Sequence, residues 1–135
     1  MKRILLALLL VGCGGEEPIA PPDPEPISVD GLWARTFDDG KIIELSLIAS
    51  GSGIAGCAAV NVIPNQGADN RTIIRVVGSL DGSIVTLTQA NGYPPFGFSG
   101  SVTATSLAGR VTGFGWTDQQ ATLTRDSSGA LRANC

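Results

Sequence analysis

Hydrophobic and polar positions divide the chain into three regimes. Ile4 to Val11 is an unbroken apolar run. Gly14 to Pro26 reads GGEEPIAPPDPEP and holds one large aliphatic residue, Ile19. From Ser28 onward apolar residues recur at every second position between clusters of glycine, serine, aspartate and asparagine, the pattern of half-buried strands separated by turns. The alternation predicts strands at Leu32–Phe37, Lys41–Ala49, Ile54–Ile63, Arg71–Leu80, Ile84–Ala90, Phe98–Ala104, Leu107–Trp116 and Ala121–Arg125. Asp81-Gly82, flanked by apolar runs, is a strong short-range hairpin signal. The longest connections are Pro64–Asn70 and the segment Asn91–Gly97. No window carries a 3.6-residue apolar face of helix length, so the expected class is all-β.

Eight short strands joined mostly by short connections describe an antiparallel up-and-down meander. Left flat, such a sheet exposes two edges, and closure removes them. Glycines inside the strand patterns, among them Gly56, Gly78, Gly100 and Gly109, mark bends or bulges that curvature requires. A small eight-stranded barrel is expected, with a two-sheet β-sandwich as the alternative.

The first regime changes the picture of where the domain resides. Lys2 and Arg3 precede the apolar run, giving the basic start and hydrophobic core of a secretory signal. At about eight residues the run is too short to cross the roughly 30 Å of bilayer hydrocarbon. Leu10-Val11-Gly12-Cys13 closes it and resembles the lipobox of bacterial lipoproteins. That resemblance implies removal of residues 1–12, acylation of Cys13 (palmitate being one such acyl group), and an extracytoplasmic, lipid-anchored location. Gly14 stands where an aspartate would retain a lipoprotein at an inner membrane, so an outer-membrane destination is expected in a cell with two membranes. Residues 13–27 then read as the lipidated cysteine with an acidic, proline-rich tether, and 28–135 as the barrel domain. The prolines favour polyproline II geometry, which makes the tether a semi-rigid spacer of roughly 40 Å at most.

Charge narrows the partners. Loss of Lys2 and Arg3 takes the formal charge of −3 further negative, but Glu16, Glu17, Asp23 and Glu25 lie in the tether. The domain itself is close to neutral, with scattered arginines and no basic stripe, which excludes nucleic acid as a partner class. The expected partners are the membrane, through the lipid, and either an envelope protein or a small apolar ligand.

The chain contains no histidine. Ser-His and Cys-His catalysis and the commonest zinc ligand are therefore out of reach. The domain's acids sit mostly at turns or strand ends, where aspartate bonds locally to backbone. No carboxylate pair has the spacing of a glycosidase, and no nucleophile elbow or metal-ligand run occurs. The expectation is a non-enzymatic domain without metal or cofactor. With Cys13 acylated, Cys57 and Cys135 remain as an even pair in an oxidising compartment and are expected to form a disulfide. A buried Cys57 with a terminal Cys135 free for intermolecular pairing is the alternative.

Gly31-Leu32-Trp33 opens the domain and Arg125 closes its last strand. This pairing resembles lipocalins and related calycin barrels, in which a Gly-x-Trp on the first strand lies beneath an arginine from the last. The resemblance implies barrel closure through Trp33 and Arg125. Tyr93, Phe96, Phe98 and Trp116 are the candidate lip of a binding mouth, or else a hydrophobic plug over one barrel end.

Overall fold

In the computed structural model, residues 18–23, 26–61, 63, 71–91, 95–126 and 135 are described. Eight strands follow in order: β1 (Gly31–Thr36), β2 (Ile42–Ser50), β3 (Gly53–Asn61), β4 (Thr72–Asp81), β5 (Ile84–Gln89), β6 (Gly97–Val102), β7 (Ser106–Gly113) and β8 (Trp116–Asp126). Each is antiparallel to its sequence neighbour, and β8 returns to β1, giving a closed up-and-down barrel. The sandwich is thereby set aside.

Register shows why the period-two pattern suits this shape. One ladder row runs Ala49, Ile54, Gly78, Leu87, Phe98, Val111 around the wall, and its large members are core residues. The adjacent row runs Ser50, Gly53, Ser79, Thr86, Ser99, Arg110, Gln120 and faces out. In these two rows apolar residues point in and polar residues point out, while Ile48, Ile73, Val77 and Ile84 are large apolar residues exposed on the outer wall. Among the described residues no helix is long and apolar enough to cross a membrane.

Among the described residues the interior is filled by large side chains. Trp33, Phe96, Phe98, Ile43, Leu45, Leu47, Leu87, Leu107 and Leu123 are essentially fully buried. Glycine makes this possible where neighbouring backbones squeeze together. A Cβ on Gly100 would lie 2.1 Å from the Ala108 carbonyl oxygen, and one on Gly109 would lie 2.8 Å from the Phe98 ring. The Phe98 ring thus occupies space that any side chain at 109 would need.

Strand ends fall within two residues of the expectation except around the last turn, and two departures have a local cause. The fourth strand, expected to end at Leu80, runs on to Asp81, which pairs with Ile84 and leaves Gly82-Ser83 as a two-residue loop. Gly82 takes φ +58°, as the first loop position of a II′-like turn requires. The second departure moves Trp116 from the end of the seventh strand to the start of the eighth. Gly113 pairs with Trp116 across a two-residue turn in which Phe114 (φ +47°) and Gly115 (φ +87°) both turn left-handed. A bulky residue at positive φ is rare enough that the alternation carried the predicted strand straight through it.

Immediately after that turn, β8 bulges. Val111 pairs with Gln119 and Gly113 with Trp116, leaving Thr117 and Asp118 opposite a single residue. Asp118 has φ +49°. Arg110 holds the bulge, donating from Nε to Asp118 Oδ1 at 2.6 Å and from Nη2 to the Asp118 carbonyl at 2.8 Å.

Candidate functional site

The barrel's two ends are built differently. At the end where the chain enters, Trp33 lies at the centre of a clasp. Its indole is fully buried and donates from Nε1 to the Val29 carbonyl at 2.9 Å. Arg125 pairs with Trp33 across the closing ladder and stacks over its ring, 4.2 Å from the guanidinium carbon to the ring centroid. The same guanidinium donates to three carbonyls: Asp30, Ser28 at 2.7 Å and Ala104 at 3.0 Å. One side chain thus ties the entering segment, the first and last strands, and the β6–β7 turn together. Trp33 and Arg125 meet where the first and last strands close the barrel.

The opposite end is aromatic. Phe96, Phe98 and Trp116 are 2%, 2% and 3% exposed, so these members of the expected lip belong to the core. Tyr93 lies outside the described residues. Phe37 packs on Trp116 with ring centroids 5.5 Å apart. The Trp116 Nε1 is buried without a hydrogen-bond partner among the described residues. The described aromatics therefore form a plug, not an exposed rim.

Cys57 and Cys135 are joined as a disulfide with Cα atoms 5.5 Å apart. Cys57 alternates with the inward Ala58 and so faces the outside of β3, where Ile48, Ala55 and Val77 surround it in a shallow hollow of about 350 Å³. The lipidation candidate Cys13 lies outside the described residues. Among the described residues, no group of three metal-ligating side chains comes together.

A feature that sequence reasoning missed lies on the closing seam. The β1–β8 ladder holds only the pairs Leu32–Asp126, Trp33–Arg125 and Ala34–Thr124. Beyond Ala34 the two strands part, and a cleft of about 450 Å³ opens, lined by Arg35, Thr36, Glu44, Arg71, Thr122 and Thr124 among others. Arg35 shares the inward phase with Trp33 and Phe37, yet its Nη1 reaches sideways to the Thr122 carbonyl at 3.3 Å. Its guanidinium also sits over the Phe37 ring, 5.1 Å from the centroid. Arg71 is paired with Glu44 through Nη1. The Nε atoms of both arginines are buried without partners among the described residues. The chemistry offered is two guanidinium groups against one carboxylate, with threonine hydroxyls around them. A charged residue in apolar phase at position 35 was the one available signal.

No family model, curated protein or solved structure matches the chain. The functional reading therefore rests on this geometry and on the residues at the amino terminus.

Proposed function

We propose that this chain is a membrane-anchored, extracytoplasmic lipoprotein whose barrel serves as a structural or protein-interaction module of the cell envelope, without enzymatic activity. The filled interior carries the second half of that reading. Small-molecule barrels keep a lined cavity, whereas here Trp33, Phe98 and the leucines of the inward rows occupy the space. The hollows at the seam and around the disulfide sit on the outer wall, where a partner and not an enclosed ligand would be met. The lipobox-like Leu10-Val11-Gly12-Cys13 supports the anchor, with an outer-membrane destination in a cell with two membranes.

Metabolic labelling with a fatty-acid probe tests the anchor: wild type should be tagged and Cys13→Ala should not. Equal labelling of both, or of neither, would refute it. Native mass spectrometry of protein purified from its own envelope tests the filled barrel. The expected mass is the acylated chain alone. A stoichiometric small-molecule adduct would instead support the competing lipocalin-like reading, which draws on the Trp33–Arg125 clasp.

A further inference from the structure

We infer that the open end of the β1–β8 seam docks an extended, acidic peptide segment of a partner protein. The segment adds as a strand to the free edge of β8, and its carboxylates meet Arg35 and Arg71. The inference rests on the interaction-module reading and deepens it by giving the contact a place and a chemistry.

The free edge follows from register. On β8 the Arg125 N–H points to Thr105, away from β1, while the Thr122 carbonyl points towards β1, where Arg35 takes it. Alternation along an antiparallel strand then turns the N–H and C=O of Gln120, and the N–H of Thr122, to the β1 side. The register gives none of them a β1 partner, because the ladder ends at Ala34–Thr124. On the other wall of the cleft the same alternation turns Thr36 towards the gap. Unpaired ladder groups beside a groove are what strand addition uses: the main chain supplies the hydrogen bonds, and flanking side chains select the sequence. The Asp118 bulge limits the free edge to the stretch above it, roughly 15 Å of strand or four to five residues.

Charge selects the guest. Glu44 neutralises one guanidinium, so among the described residues that line the cleft Arg35 and Arg71 leave one positive charge in excess. The Arg35 contact with Thr122 is long, at 3.3 Å, and an incoming strand that bonds the Thr122 carbonyl frees that guanidinium for a carboxylate. The threonines at 36, 122 and 124 are compatible with an alternating polar strand beside them.

The test uses the full chain in mild detergent and an acetylated, amidated heptapeptide in which glutamate alternates with valine and threonine. Amide NMR signals of Gln120 and Thr122 should shift and gain exchange protection on titration. The lysine-for-glutamate peptide and the Arg35→Gln variant should each bind about tenfold more weakly. Gln120→Pro removes an N–H that points into the open seam and takes no part in the β7–β8 ladder, so the fold should persist by near-ultraviolet dichroism while binding falls by a similar factor. A glutamate peptide N-methylated at alternate amides should not bind. Binding that survives both Gln120→Pro and N-methylation would reduce the contact to surface charge and overturn strand addition, as would no binding at all. Protection of Gln120 and Thr122 without peptide would assign the edge to a second copy or to the chain's own acidic tether, and would equally overturn it. Cys13 labelling does not depend on the seam, so loss of peptide binding with intact labelling would remove the docking site and leave the lipoprotein reading standing.

Discussion

Removing Arg125 and Trp33 singly and together measures how the barrel is closed. Trp33 is fully buried, so Trp33→Ala should cost about 3–5 kcal/mol from lost transfer energy and the cavity left behind. Loss of its Nε1 bond to Val29 belongs to the same figure. Arg125→Ala removes the stack over the indole, worth about 0.5–2 kcal/mol. It also strips three carbonyls of a charged donor, and partial solvent access keeps their combined contribution to about 1–2 kcal/mol. The single change should therefore cost about 1.5–4 kcal/mol, more than stacking alone would give. Only the stack is shared between the two residues, because the carbonyl bonds survive without Trp33. The double mutant should fall short of the summed losses by about 0.5–2 kcal/mol. Urea unfolding followed by far-ultraviolet dichroism supplies the numbers without relying on the tryptophan that is removed, and an unchanged m-value certifies comparable unfolded states. Additivity to within about 0.3 kcal/mol would refute the reasoning, since residues stacked at 4.2 Å must couple.

The remaining expectations concern the wall of the barrel. Cys135→Ser opens a loop with a sequence separation of 78 and should destabilise by about 4–5 kcal/mol on the chain-entropy account, read as a lower urea midpoint that matches reduced wild type; equal midpoints for oxidised and reduced protein would contradict it. Gly100→Ala drives a Cβ to 2.1 Å from the Ala108 carbonyl and should cost about 3 kcal/mol or more, the upper end of overpacking penalties, whereas a change under about 1 kcal/mol would show that the strands part easily. The Arg110 hydrogen bond, with its charge, holds the Asp118 carboxyl below the usual value of 3.8. A depressed folded-state value means that the contribution is present at neutral pH and is lost as pH falls through the folded-state titration. The Asp118 carboxyl signal in NMR should therefore titrate at lower pH in wild type than in Arg110→Gln, and coincident curves would remove Arg110 as the cause.

Alternation between apolar and polar residues is a local property, and it determined the class, the number and nearly all the positions of the strands. Ile43, Leu45 and Leu47 against Glu44 and Ser46 can be read without knowing any neighbour, because successive side chains in a strand must point to opposite faces. The absence of histidine likewise narrowed the chemistry by counting, and the disulfide was expected once the lipobox resemblance had set Cys13 apart from Cys57 and Cys135. Local pattern failed where the backbone departed from it. Phe114 at positive φ and the Asp118 bulge broke the alternation at a turn, and so Trp116 changed strands. The clasp was legible only through resemblance, since nothing local couples Trp33 to Arg125 across most of the domain. Closure itself, the filling of the interior by Phe96 and Phe98, and the parting of β1 from β8 beyond Ala34 were decided by tertiary structure. Each depends on how many residues of one strand pair with another far away in the chain. Arg35 and Arg71 share a cleft for that reason alone: a sheet that curls until its ends meet, but meets over only part of their length, leaves its unpaired edge and nearby charges in one place.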